Sequence, residues 1–392
     1  MADAAQLNFR HLAAFAQVVR LGTLGAAARA VNLTQPAITQ AMAGLERQIG
    51  LPLFDRSSGM LVATDAARAL ALRAESAVRL LGTRRATSAQ VRAFLALSRH
   101  GSYSSAASAT GLAEASIHRA VADLALATGI RLVERRGRGI ALTGRGVQVA
   151  RNFSLAVAEL RSGLAEFMAL NGQEVGGIAI GAMPLSRARL LPEAVAAFRR
   201  DHPHVRFTIT EGSHEELMGP LRDGDIDLMV GALRDPAPGA DVVQTALFVD
   251  RPVIVARPGH PLAAGREPVA AADLGRYAWV VPPAGTPLRA LWTQIFVHAG
   301  CDIPEVPIEC GSVIMIRQLL LDSDFLTLLS PDQVAVEIEA GCLVQLGFAP
   351  GTAGRTIGLT SRADWRPTPL QKAFLLQLHK HADRIGVAVG NS

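Results

Sequence analysis

Thr34, Gln35, Pro36, Thr39 and Gln40 fall close together, with Ile38, Met42, Leu45 and Ile49 among and after them. At helical spacing the four apolar residues form one stripe, while the first group and Ala43 face the other way. Amides and hydroxyls on an outward helix face suit base edges and phosphates, and their small size lets the helix approach the floor of a major groove.

Such a face needs a scaffold. Thr34 is a good N-cap with Pro36 in the first turn, and Asn32 tolerates the left-handed conformation of a tight turn. Upstream, Leu12, Phe15, Val18 and Val19 keep helical spacing until Gly22-Thr23, and an Ala-rich run predicts a short helix over 24–30. The reading helix is predicted over 35–48. Two short strands over 52–54 and 61–63 then flank Arg56, Ser57, Ser58 and Gly59, a hairpin wing placed to touch backbone or minor groove. The same elements could instead be a three-helix bundle used only for packing.

Sliding the region against itself gives one clear offset of 79 residues. Phe15 falls on Phe94, Gly22 on Gly101, Leu33 on Leu112, Ile38 on Ile117, Leu45 on Leu124, Gly50 on Gly129 and Arg56 on Arg135. Two copies at so long a period are a duplicated domain, not a solenoid. Charge follows the duplication: residues 1–171 carry a net +10 and residues 172–392 a net −5. A polyanion-binding half joined to a half with another task fits that split.

The run Phe9-Arg10-His11-Leu12, Phe15, Gly22-Thr23-Leu24, Ala27-Ala28, Leu33 to Thr39, Leu45-Glu46, Gly50, Leu53-Phe54 and Arg56 resembles the DNA-binding domain of LysR-type regulators. The resemblance implies contacts to DNA from Thr34, Gln35, Pro36, Thr39 and Gln40, with Arg56 in the wing on the backbone. It also implies a long helix after each winged unit that pairs subunits and leads to a sensor; the stretches 65–81 and 146–170 are helical in pattern.

The second copy departs from this. Ala113, Glu114, Ala115 and Ser116 replace the Thr-Gln-Pro-Ala start, His118 and Arg119 occupy the Thr39 and Gln40 positions, and the wing reads Arg135-Arg136-Gly137-Arg138. A DNA reader of altered preference, a backbone clamp acting through these basic residues and a dimerisation module all remain open.

From Gly176 strand-like runs alternate with helical ones, over 177–181, 191–200, 205–211, 215–223 and 227–231, which argues for α/β architecture with a parallel sheet. The order is similar to the LysR effector domain, two small lobes resembling a periplasmic binding protein. Matching features include Leu191-Pro192, Phe198, His202-Pro203, the run Gly224 to Leu228, and Pro258-Gly259-His260-Pro261-Leu262. The segment Asp322-Ser323-Asp324-Phe325 resembles a subgroup associated with aromatic and sugar-acid catabolism. Ligands of open α/β lobes sit at strand carboxyl ends, where loop amides favour anions. By that rule and by family position the candidates are Met183, Pro184, Leu185, Gly212, Ser213, Gly231, Ala232, Gly285, Thr286 and Ser312. For each hydroxyl, ordinary helix capping is an equal reading.

The chain is thus expected to be multidomain: a winged helix-turn-helix unit with linker helix over 1–83, a second over 84–171, and a two-lobed effector domain over 172–392. The lobes are placed at about 176–250 with 352–385, and about 251–351. The function expected is that of a bacterial transcriptional regulator sensing a small organic anion such as an aromatic or sugar acid. Expected partners are double-stranded DNA, that anion, a second copy in a homodimer or homotetramer, and RNA polymerase; ligand would change the spacing of bound winged units and the bend of the promoter. No cofactor, metal, membrane or catalytic residue is expected, and the location expected is cytoplasmic. Walker loop, dinucleotide glycine fingerprint, zinc cluster and nucleophile elbow do not occur, and Cys301, Cys310 and Cys342 are an odd set without metal spacing. Two rivals stand beside this reading: an interaction protein that dimerises with and sequesters other regulators, and a metabolic enzyme on the two-lobed fold.

Overall fold

Capping side chains set the first three helices. Asn8 accepts hydrogen bonds from the amides of Arg10 and His11 and starts α1 (Phe9–Leu21), Thr23 starts α2 (Leu24–Val31), and Thr34 starts α3 (Gln35–Ile49). Asn32, at φ 56° and ψ 46°, supplies the left-handed turn between the second and third. A two-stranded antiparallel hairpin, β1 (Phe54–Asp55) and β2 (Val62–Ala63), leads into α4 (Asp65–Leu81), capped by Thr64. This computed structural model describes residues 3–55, 61–83, 85–137, 139–173, 175–264, 269–348 and 354–390.

The second unit repeats the order: α5 (Ser88–His100), α6 (Tyr103–Thr110), α7 (Glu114–Thr128), β3 (Val133–Arg136), β4 (Gly139–Leu142) and α8 (Gly144–Leu170). Its third helix starts differently. Ala113 stands where Thr34 stands and offers no capping oxygen, a loss of about 1 kcal/mol. Glu114 in the first turn offsets part of that through the helix dipole.

One apolar core runs through both units. Phe15 meets Phe54 edge-on at 6.1 Å, and Phe94 meets Phe153 in the same way at 6.3 Å. Between the units α4 lies directly on α8. Leu70, Ala74 and Ala77 of the first helix and Ala156, Leu160 and Leu164 of the second are fully buried.

The C-terminal half holds two lobes. The first comprises β5 (Gly177–Ala182), α9 (Leu190–Asp201), β6 (Arg206–Glu211), α10 (His214–Asp223), β7 (Leu228–Ala232) and β8 (Val242–Asp250). The second comprises β9 (Val253–Ala256), α11 (Ala271–Leu274), β10 (Val280–Val281), α12 (Pro287–His298), β11 (Ile308–Glu309), α13 (Val313–Leu321), β12 (Thr327–Leu329), α14 (Ala335–Glu339) and β13 (Val344–Phe348). The chain then returns through β14 (Arg355–Arg362) and α15 (Pro369–Gly390) to the first lobe.

The first lobe corrects the expectation of a parallel sheet. Its order is β6-β5-β7-β14-β8, with β5 parallel to β6 and β7 but β14 antiparallel to both its neighbours. The reason is the route of the chain: β14 re-enters from the second lobe and so runs against β7. Helices α9 and α15 cover the sheet through Phe198 and Phe374, which meet each other and Phe207 of β6 edge to face. In the second lobe Trp279, Trp292 and Phe296 make a similar aromatic knot. Among the described residues no helix is long and apolar enough to cross a membrane.

Candidate nucleic-acid interface and effector cleft

All five candidate residues of the first reading helix are exposed and lie within two turns of its N-terminal end: Thr34, Gln35, Pro36, Thr39 and Gln40. The opposite side of α3 buries Ile38, Met42, Leu45 and Ile49, so the outward face is held by the core and has no packing role. Two hydroxyls are partly committed locally. Thr34 accepts from the Ala37 amide at 3.4 Å, and Thr39 donates to the Gln35 carbonyl at 3.1 Å. The two glutamine amides remain as the groups able to present donor and acceptor together to one base edge. Arg56 lies outside the described residues.

On the second unit His118 and Arg119 are exposed, and the His118 ring tilts against Tyr103 with centroids 5.0 Å apart. Arg135 and Arg136 are exposed at the end of β3, while Arg138 lies outside the described residues. The reading helix therefore recurs in the second unit with imidazole and guanidinium where the first has hydroxyl and amide, and the second hairpin carries two exposed arginines.

A cleft of about 910 Å³ lies where the two lobes meet. From the first lobe it takes Leu233, Arg234, Asp235 and Gln244 with Arg355 and Thr356 at the start of β14; from the second it takes Gly285, Thr286 and Arg289 at the start of α12. Arg289 pairs with Glu309 at 3.1 Å and sits 4.9 Å over the Trp292 ring. Arg355 pairs with the buried Asp250 at 2.8 Å. Arg234 makes no ion pair among the described residues, and its backbone is pinned on both sides by the Gln244 amide at 2.8 Å. Burial lowers the pKa of Arg234; a guanidinium so placed gains from an incoming anion.

Of the candidates read from the sequence, Gly285 and Thr286 line this cleft. Met183 is buried against Gly231 and the side chains of α10, and Leu185 belongs to the core of the first lobe. Pro184 starts a short turn between them, and Ala232 ends β7 one residue before the cleft lining begins. Ser213 caps α10 in a capping box with Glu216, and Gly212 precedes it. Ser312 stands at the start of α13 without a capping bond, its amide directed at the Cys310 sulfur at 3.4 Å. The three cleft arginines come from distant segments, which is why the sequence did not single them out; only Arg234, two residues past a strand end, carried a usable signal.

The three parts of the molecule meet at Arg73 of α4, which is 5% exposed. Its guanidinium donates to Glu166 of α8 at 2.6 and 3.2 Å, faces Glu159 at 3.4 Å, and donates to the Arg366 carbonyl, between β14 and α15, at 2.9 Å. Burial opposes its charge, but Glu166 and Glu159 outweigh that and raise its pKa. Arg366 in turn donates to Ser76 at 2.9 Å and pairs with Glu159. Two more ion pairs, Arg99 to Asp225 at 2.6 Å and Arg151 to Asp223 at 3.2 Å, join the second unit to the first lobe. Between the lobes Arg189 reaches Glu339 at 3.3 Å.

Comparison with known proteins agrees with this arrangement. The family model described as bacterial regulatory helix-turn-helix protein, lysR family, matches residues 9–68 and again 88–147, and the LysR substrate binding domain matches 171–383. The HTH-type transcriptional regulator GalR of Pseudomonas putida is 32% identical over 389 residues, covering 96% of this chain and 97% of that protein. The SDS degradation transcriptional activation protein of a Pseudomonas species is 33% identical over 291 residues, covering 73% of this chain and 93% of that protein. Among solved structures, a full-length OxyR variant from Pseudomonas aeruginosa shares the fold with a TM-score of 0.54 at 20% identity, covering 76% of this chain and 97% of that one.

Proposed function

The chain belongs to the LysR family of transcriptional regulators, which bind DNA and small-molecule effectors, and from that premise we propose that it senses a small organic anion in the cleft between its lobes. The observation that carries this is the set Arg234, Arg289 and Arg355 converging on one cleft of about 910 Å³. Pairing with Glu309 and Asp250 leaves Arg234 as the group that takes the ligand's charge, while the Thr286 end of α12 adds the positive end of a helix dipole. The apolar lining of Leu233, Ala290 and Leu291 suits an aromatic acid, and the Gln244, Thr286 and Thr293 side chains suit a hydroxylated or sugar acid.

On the DNA side, Gln35 and Gln40 of α3 take base edges, Thr34, Pro36 and Thr39 complete the contact face, and Arg135 with Arg136 meets phosphates. Effector binding changes how the lobes meet, and the ion pairs from Asp223, Asp225 and Arg366 carry that change to the paired helices.

Two measurements test the reading. Benzoate, gallate and gluconate are titrated against the full chain by calorimetry and thermal shift. At least one binds, and Arg234→Gln weakens it by about ten- to a hundred-fold, the loss of one charge-assisted hydrogen bond of about 1.5–3 kcal/mol. Mobility shift at two salt concentrations checks the DNA half: affinity falls as salt rises, and absence of binding at low salt refutes the regulator reading.

A further inference from the structure

The helices that carry the two winged units into the rest of the chain are equivalent elements, since α8 begins at Gly144, 79 residues after α4 begins at Asp65. They pair with each other inside one chain. Ser76 and Glu159 share Arg366, Arg73 reaches both Glu159 and Glu166, and Leu70 lies at Gly163. Two like units are thus joined through the same element of each.

The contact is close and complete. A Cβ on Gly163 would come within 2.8 Å of the Arg73 Cβ and 3.0 Å of Leu70 Cδ1, so the helices cross where only glycine fits. The apolar residues of the seam are buried in a core that both units share, and the buried Arg73 is answered by two carboxylates of the other unit. The surface through which a second copy of α4 could pair is filled by the chain's own α8.

The two reading faces so joined are chemically unlike. Gln35 and Gln40 on α3 match the paired donor and acceptor of adenine, whereas Arg119 on α7 matches the two acceptors of guanine, and Glu114 repels phosphate and accepts from cytosine. We propose that one chain is a ready-made pair of unlike DNA readers that engages a duplex of two different halves, a non-palindromic site, with α3 on one half and α7 on the other. This rests on the reading of the chain as a DNA-binding regulator.

The test selects duplexes from a random pool with the full-length protein, footprints the winner, and measures chains per duplex by native mass spectrometry. Gln40→Ala and Arg119→Ala, both at exposed positions that leave the core untouched, are run beside the wild type. The expected consensus has two unlike halves and two protected halves for every chain bound. Each variant loses preference by about ten-fold in its own half and leaves the other half unchanged. A symmetric consensus, one protected half per chain, or an Arg119→Ala variant with unaltered preference at every position overturns the proposal while leaving the regulator reading in place. Failure to enrich any duplex overturns the regulator reading itself, and the pair with it.

Discussion

Replacing Arg73 by methionine removes the cation that holds the three parts of the molecule together while keeping most of the side chain's volume. Glu159 retains Arg366, so the damage falls on Glu166, whose side chain is 13% exposed and would lose two hydrogen bonds at 2.6 and 3.2 Å. Stranding a buried charge costs about 3–5 kcal/mol, and the partial exposure of Glu166 points to the lower end. At about 1.4 kcal/mol per factor of ten, a loss of about 3 kcal/mol raises the opening of the α4–α8 seam by about a hundred-fold. Amide hydrogen exchange across α4 and α8 reads this directly. Glu166→Gln added to Arg73→Met removes the stranded charge, and most of the lost protection returns, because residues in one network do not act additively. Protection lowered less than five-fold in Arg73→Met, or a second substitution that only deepens the loss, refutes the assignment of Arg73 as the joint.

Three further outcomes follow from the same geometry. Gly163→Ala, which in an open helix stabilises by about 0.5–1 kcal/mol, is destabilising here by about 1–2 kcal/mol because the added carbon meets Arg73 at 2.8 Å; thermal unfolding gives the sign. His260 is buried, accepts from the Leu262 amide at 3.1 Å through Nδ1, and has its pKa lowered from 6.5 by burial. Its folded form refuses a proton that the unfolded chain takes up, so its contribution is complete above pH 6.5 and is lost as pH falls through the lowered pKa. His260→Asn flattens that dependence in unfolding followed by tryptophan fluorescence, and an unchanged pH profile refutes it. Arg355→Met strands the buried Asp250 and costs about 3 kcal/mol in the first lobe, measured by urea unfolding; a shift below about 1 kcal/mol places that carboxylate in water instead.

The local parts of this fold were legible because their signals are local. Thr34 and Asn32 cap and turn the chain where their side-chain chemistry says they should, and the helix over 65–81 was readable to the residue. The reading face of α3 emerged from the spacing of Ile38, Met42, Leu45 and Ile49 alone. The strands of the first wing were less exact, starting at Phe54 and Val62 rather than Pro52 and Leu61, since a two-residue ladder leaves little periodicity. What could not be read is what depends on distant segments meeting. Arg73 looks like one more charge on an Ala-rich helix until Glu159 and Glu166 come across from the other unit. The antiparallel β14 and the meeting of Arg234, Arg289 and Arg355 depend in the same way on a chain that leaves the first lobe and comes back.

The seam at Gly163 also bears on dose. A regulator whose two readers must first find each other in solution occupies its site with a steep dependence on protein level, because assembly and binding multiply. Readers tethered and already packed meet at a local concentration fixed by the fold. On the proposed single-chain site, occupancy therefore rises with the first power of the number of molecules, and a cell holding few copies would lose little control by dilution.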